Sequence, residues 1–164
     1  VINMFKEMRR HLQKLSLQEN KDILTKATSG VLAVSGEDGY PYAVPMSFAF
    51  DHKRLIFHCA KTGHKLESVL RNDKVSFCVI DQDIIIPKEY TTYFRSVIVF
   101  GRTHILLDEK EKQKAFEILA AKYSPNDQEG RLAEIHKLFK QTVIIVLDIE
   151  YMSGKESIEL KNKT

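Results

Sequence analysis

The chain of 164 residues is short of several things that would narrow its class at once. Its two cysteines, Cys59 and Cys78, are too few for a disulfide framework, and neither belongs to a C-x-x-C pair. A reduced, cytoplasmic protein is the expectation. No apolar run approaches the ~18 residues of a membrane-spanning helix, and no signal-peptide core follows the basic start. Neither sign of charge dominates: 25 Lys plus Arg against 22 Asp plus Glu leave a formal charge of +3. That excess is too small for a nucleic-acid footprint. Internal repeats and low-complexity segments are also absent. What remains is ordinary globular material, 43% hydrophobic and 29% charged. A chain of this length can bury roughly 70% of the surface its unfolded form exposes, so one core without disulfide staples is expected.

The pattern along the chain is mostly β. Residues 5–15 are basic and weakly amphipathic, with Phe5, Met8, Leu12 and Leu15 at helical spacing. Lys6, Arg9, Arg10, His11 and Lys14 form a solvated face there. Ser16 followed by Glu19 is a capping-box pattern that starts a helix running to about Lys26. Residues 30–35, 42–50 and 54–60 read as three strands of a meander, joined by turns at 36–39 and 51–53. Pro45 within the second marks an edge, a bulge, or backbone facing something other than a strand. A short helix over 64–70 and a strand over 75–80 follow, and Ile84-Ile85-Ile86-Pro87 leads into a less regular stretch. Residues 93–107 form a long strand with a bend or bulge at Gly101. Helices over 109–123 and 132–139 flank the break at Ser124-Pro125, 143–149 is the last strand, and the charged tail after Gly154 is expected to fray. Six strands with short connections and a late helical pair fit an antiparallel barrel with helices at its margins better than a parallel βαβ sheet.

One segment stands out chemically. In Phe57-His58-Cys59-Ala60-Lys61-Thr62-Gly63-His64-Lys65 a strand runs into a short loop and a helix begins at once. Free N–H groups and the positive end of the helix dipole favour an anion such as phosphate there. His64 would add a hydrogen-bond donor and Lys65 a point charge. An ordinary connection carrying solvated basic residues is the competing explanation. His52, His58 and His64 are equally spaced, but they fall on a turn, a strand and a helix start, so no metal site is expected. Cys59 is read as a half-buried strand cysteine, with a thiol activated by the nearby helix start as the alternative. Cys78 is assigned to the core. Tyr93, Phe94 and Phe100 read as strand packing, with a further stacking role open to Tyr93.

Three blocks occur in order: Gly39-Tyr-Pro-Tyr-Ala-Val-Pro-Met-Ser47, residues 57–65, and Tyr93-Phe-Arg-Ser-Val-Ile-Val-Phe-Gly101. With Tyr123-Ser124-Pro125, they resemble the FMN-binding split-barrel family related to pyridoxamine 5′-phosphate oxidase. Within it the chain is most similar to the branch of nitroimidazole-resistance proteins. The resemblance covers about 30–154 and implies an antiparallel six-stranded split β-barrel. A helical segment (1–29) would pack on the barrel, and a short tail (155–164) would follow it. It also implies a homodimer holding FMN at the subunit interface. Val44, Pro45, Met46 and Ser47 would lie along the isoalloxazine ring. His58, Cys59 and Ala60 would flank the ring or the ribityl chain. Gly63, His64 and Lys65 would hold the phosphate, and Tyr93, Arg95 and Ser96 would approach from the long strand of either subunit. The implied activity is transfer of electrons from a nicotinamide cofactor, NAD(P)H, through FMN to a small acceptor such as a nitroaromatic. His58 would sit near the ring, and Arg95 would orient an anionic acceptor. A non-catalytic flavin carrier or sensor, or a haem- or deazaflavin-binding member of the same fold, is the alternative. The chain departs from the oxidase in having no basic residue in strand 42–47. Near the C-terminal substrate-phosphate positions only Lys155 offers a charge. Pyridoxamine phosphate is therefore not the expected substrate.

Overall fold

In the computed structural model, which describes residues 5–162, the capping box at Ser16 is complete. The Ser16 side chain accepts from the Glu19 amide at 3.2 Å, and the Glu19 carboxylate accepts from the Ser16 amide at 2.6 Å. These bonds hold the Glu19 carboxyl below its usual range and open helix α1 (Leu17–Lys26). Its buried Ile23 and Leu24 are one helical step apart and reach into the core. The preceding segment is not the expected helix. Only a single 3-10 turn forms, at His11–Gln13. The rest is held by the sheet: Phe5 stacks on Tyr151 with ring centroids 5.0 Å apart, and the Leu15 amide donates to the Gly154 carbonyl at 3.0 Å. Packing on aromatic strand residues outweighs a weak helical periodicity.

Among the described residues, seven strands make one antiparallel sheet, one more than expected. They are β1 (Ser29–Ser35), β2 (Pro41–Ser47), β3 (Ala49–Phe50), β4 (Arg54–Ala60), β5 (Lys74–Ile86), β6 (Thr91–Ile105) and β7 (Thr142–Glu156), in spatial order β2-β1-β5-β6-β7-β4-β3. The first three strands are therefore not a meander. β1 and β2 pair as a hairpin, but β4 pairs with β7 at the far side of the sheet. Sequence adjacency does not reveal that β7, nearly ninety residues later, supplies β4 with its neighbour.

The order carries a geometric consequence. β2 and β3 lie at opposite edges of the sheet, yet only Phe48 separates them in sequence. The sheet must curl until its edges almost meet, but β2 and β3 do not pair. The result is an open, split barrel rather than a closed one. Bulges supply part of the bend. Asp81 is extra on β5, between Ile80 and Gln82, and Glu150 is extra on β7, opposite the step from Phe100 to Gly101. A Cβ on Gly101 would lie 2.0 Å from the Asp148 carbonyl oxygen, so the expected bend at this residue exists because two backbones meet there.

The barrel interior is filled by Leu32, Phe57, Phe77, Val97, Val99, Ile145 and Leu147, with α1 and the later helix α2 (His64–Arg71) closing it. A second cluster lies on the opposite face of β4 and β7. There Ile56, Ile144 and Val146 meet Phe116, Leu119 and Ile135 of α3 (Glu109–Tyr123) and α4 (Gln128–Leu138). β7 is thus buried on both faces, which explains its unbroken run of Val143-Ile-Ile-Val-Leu147. α4 starts before the expected residue 132 because the Asp127 carboxylate caps it, accepting from the Gly130 amide at 2.9 Å. β5 does not end at the expected Ile80 but runs on to Ile86. The tail does not fray after Gly154 either. β7 continues to Glu156, which is 2% exposed and paired with Arg95 at 2.8 Å, and a short helix, α5 (Ile158–Lys161), follows.

Tyr123 fastens the place where the sheet edges approach. Its hydroxyl accepts from the Phe48 amide at 3.0 Å, and its proton serves the carbonyls of Thr28 and Phe48. Beside it the Lys122 ammonium lies 4.1 Å from the centre of the Phe48 ring and donates to the Ala27 carbonyl. Tyr123→Phe leaves the Phe48 amide without that acceptor. It should cost about 1–3 kcal/mol, read as a lower midpoint in urea with an unchanged slope. An unchanged midpoint would show that the sheet edges need no fastening.

Candidate functional site

β2, the end of β4 and the start of α2 converge beside the open edge of the barrel. β2 has β1 on one side only, so part of its main chain faces no strand, and Pro45 is tolerated for that reason. Along β2 the burial alternates: Val44 is half-buried, Pro45 and Ser47 are exposed, and Met46 is buried. Two contacts join β2 to α2. The Lys65 ammonium lies 3.1 Å from the Met46 sulfur, and the Tyr42 ring stacks on His64 with centroids 4.1 Å apart and planes 14° from parallel. Tyr42 is a member of the site that the sequence reading missed. Its position two residues before Val44, on the same face of the strand, was the available signal.

α2 begins at Gly63, whose φ of 124° lies where only glycine is at ease, and no side chain caps the helix. A Cβ built on Gly63 would meet nothing within 4 Å. The first-turn amides of the helix thus have no side-chain acceptor at the cap. Lys65, at this same turn, has no carboxylate within ion-pair distance among the described residues; a thioether is its hydrogen-bond partner. A cation held against sulfur beside uncapped amides is an arrangement suited to a phosphate.

The side chains of β4 divide between the two faces of the strand. Phe57 and Cys59 share the barrel interior, whereas His58 shares the opposite face with Ile56. Cys59 is 7% exposed, and burial pushes its thiol up although Lys65 pulls the other way. It is a protonated core thiol rather than an activated one. Burial, and then the charge of Lys65, push the His58 imidazole below its usual range, so it is neutral at neutral pH. Ala60, Gly63 and His64 are exposed at the same end. Among the described residues, no three His, Cys, Asp or Glu side chains are grouped so as to hold a metal ion.

Tyr93, Arg95 and Ser96 are not brought to this place within one chain. His58 to Ala60 pair with the start of β7, from Thr142 to Ile144. Arg95 and Ser96 pair with its other end, opposite Glu156 and Lys155. About a dozen residues of extended strand, on the order of 40 Å, separate the two groups. The Tyr93 hydroxyl donates to Glu89 at 2.6 Å, and Arg95 is held by Glu156 at 2.8 Å with Asp81 at 3.8 Å. Ser96 lies on the outer face of the sheet with Ile98 and Phe100. Also unread from sequence is a cleft of about 400 Å³ between α3, α4 and the ends of β2 and β4, into which Ser47 and His58 face. The helical spacing of Asp127, Arg131, Ile135 and Leu138 was its only sequence sign.

His58 yields a direct test. Its folded pKa lies below the unfolded value of about 6.5, so the unfolded chain takes up a proton first as pH falls. The contribution of His58 to stability is therefore whole above about 6.5 and declines below it until the folded imidazole titrates. Lys65→Met removes the second of its two causes and should raise the His58 midpoint followed by imidazole NMR. A midpoint that stays put would mean that the Lys65 charge does not reach His58.

A family model described as pyridoxamine 5′-phosphate oxidase matches residues 16–156. No curated protein matches the chain. Among solved structures, a candidate 5-nitroimidazole antibiotic resistance protein of Bacteroides thetaiotaomicron superposes with a TM-score of 0.73 at 22% identity, over 87% of this chain and 86% of that one. A flavocytochrome of Azotobacter vinelandii gives 0.78 at 22% identity, over 92% and 72%. An FAD-binding protein of Mesorhizobium loti gives 0.61 at 26% identity, over 88% and 96%. Described residues 5–162 include no helix long and apolar enough to cross a membrane.

Proposed function

This chain belongs to the pyridoxamine 5′-phosphate oxidase family, and we propose that it binds FMN and passes electrons from NAD(P)H to a small acceptor such as a nitroaromatic. The observation that carries the reading is the uncapped start of α2 at Gly63, where Lys65 has no acid within ion-pair distance among the described residues. The flavocytochrome and the FAD-binding protein are flavoproteins by name and share this fold, which supports a flavin here. The candidate nitroimidazole-resistance protein supports the choice of acceptor.

The residues present fit the cofactor's chemistry. Lys65 and the first amides of α2 would take the phosphate, with His64 fixed for the task by its stack on Tyr42. The main chain of the edge strand β2 from Val44 to Ser47 would face the polar rim of the ring system. His58 and Ala60, exposed at the end of β4, would flank it, while Cys59 packs behind them. The flavin, once bound, supplies the redox chemistry, and the protein supplies position and access. Lys65 is the charged group at this place; His58 is neutral and Cys59 keeps its proton. The absence of a basic residue from Tyr42 to Ser47 argues against pyridoxamine phosphate as the substrate. Free Cys59 and Cys78 support a reducing, cytoplasmic setting.

A homodimer is part of the same proposal. Val31, Cys78, Ile98 and Ser153 form one row across the outer face of the sheet, so Cys78 is half-buried there and not in the core as expected, and Ile80 and Ser96 stand in the next row. Ile80 is 67% exposed and Ile98 39%, an apolar sheet face that a second copy would cover. That copy would bring its own Ser96 to the cofactor, whereas the Ser96 of the same chain lies at the far end of β7.

Two measurements test this. FMN added to the purified protein should give a bound-flavin spectrum, and His64→Ala with Lys65→Ala should raise the Kd about tenfold to hundredfold, as loss of charge-assisted bonds implies. An unchanged Kd would remove the phosphate assignment, and a Soret band in place of a flavin spectrum would replace FMN by haem. Ile98→Asp should turn a dimer into a monomer by sedimentation and weaken FMN binding with it. A variant that stays dimeric would place the interface elsewhere.

A further inference from the structure

The cleft between the helical hairpin α3–α4 and the ends of β2 and β4 has the size of a small-molecule site, about 400 Å³. Phe116, Leu119 and Ile135 make its floor. Ser47 and His58 stand at the sheet end, and Asp127, Arg131 and Glu134 line its α4 side. Those charges are already engaged. Arg131 donates to the carbonyls of Ser124 at 2.6 Å and Pro125 at 3.0 Å. Asp127 caps α4 through the Gly130 amide, and Glu134 lies 3.6 Å from the Lys137 ammonium. Two carboxylates against one guanidinium leave no attraction for an anion. A cation would have to leave water for an apolar floor, at a cost that no buried carboxylate here offsets. At the sheet end the uncommitted polar groups are the Ser47 hydroxyl and the His58 imidazole, both able to donate and accept when neutral, and the Ser124 and Thr142 hydroxyls also stand on the lining.

We infer that this cleft binds a neutral, planar aromatic molecule of one or two fused rings, with its rings over Phe116, Leu119 and Ile135 and its polar group at Ser47 and His58. His58 is held neutral by partial desolvation and by Lys65, which keeps its imidazole uncharged near pH 7. Ser47 and His58 are also where the proposed flavin ring would lie, so the occupant would sit against the cofactor. The inference rests on the flavin reading for that adjacency alone; occupancy of the cleft is independent of it. Arg95, the residue expected from sequence to orient an anionic acceptor, is paired with Glu156 at the other end of β7.

Two probes with one ring system separate the charge states: 2-naphthol, neutral at pH 7, and 2-naphthoate. In fluorescence titrations of the flavin-free protein, naphthol should bind saturably and at least tenfold more tightly than naphthoate. Ala120→Trp, which fills the cleft from α3, should weaken naphthol at least tenfold in a protein that still melts cooperatively. Ala120→Leu should give a smaller loss and serves if the tryptophan variant does not fold. Naphthoate binding as tightly as naphthol, or naphthol indifferent to both substitutions, would overturn the inference. Naphthol binding by a protein that takes up no FMN would sink the flavin reading and leave the cleft standing. FMN uptake without saturable naphthol binding would do the opposite.

Discussion

A single residue, Phe48, links the two outermost strands of the sheet. A seven-stranded sheet whose edges must meet across one residue has to curl, and the twist of its strands and the bulges on β5 and β7 let it do so. Because β2 and β3 do not go on to pair, the curl stops at a split. Edge strands usually invite unwanted pairing. Here Tyr123 and Lys122 of α3 fasten the split from outside, and Phe48 packs edge-on to Phe77 inside, 4.9 Å between ring centres. The candidate site is a product of that geometry. The split leaves backbone groups of β2 unpaired, brings the end of β4 alongside, and lets α2 start against Met46.

Lys65 organises the electrostatics of the place. In a chain with a formal charge of only +3, what matters is where a charge sits and what faces it. This ammonium rests on a thioether, and it helps to hold His58 neutral. An anionic ligand would supply the counter-charge that the fold withholds, and its binding energy would come from a group that costs little to keep ready.

The far end of β7 shows the reverse arrangement. Glu156 is nearly inaccessible, and Arg95 and Lys161 converge on it at 2.8 and 3.6 Å. A buried carboxylate without such partners would be strongly destabilising. Arg95 is therefore an anchor for the C-terminal segment, and that segment is part of the sheet rather than a loose end. A charged stretch after the last apolar run reads as solvated from sequence, because nothing local indicates that an arginine sixty-one residues earlier is aimed at it.

Local chemistry was legible where the relevant partners lie within a few residues. The capping box at Ser16, the glycine-led start of α2, the proline on an edge strand and the helix over 109–123 were all readable, because each depends on backbone geometry and near neighbours. The β-rich class and the phosphate-suited segment followed from them, and the family motifs extended this to the split barrel. Long-range pairing decided the rest. Which strand meets β4, that a seventh strand exists, that Phe5 stacks on Tyr151, and that His58 and Cys59 part to opposite faces all depend on contacts made across the chain. Sequence determined which groups could hold an anion. Only the tertiary structure decided which of them meet, because closing a long loop is worth its entropy only when burial on both sides of the sheet rewards it.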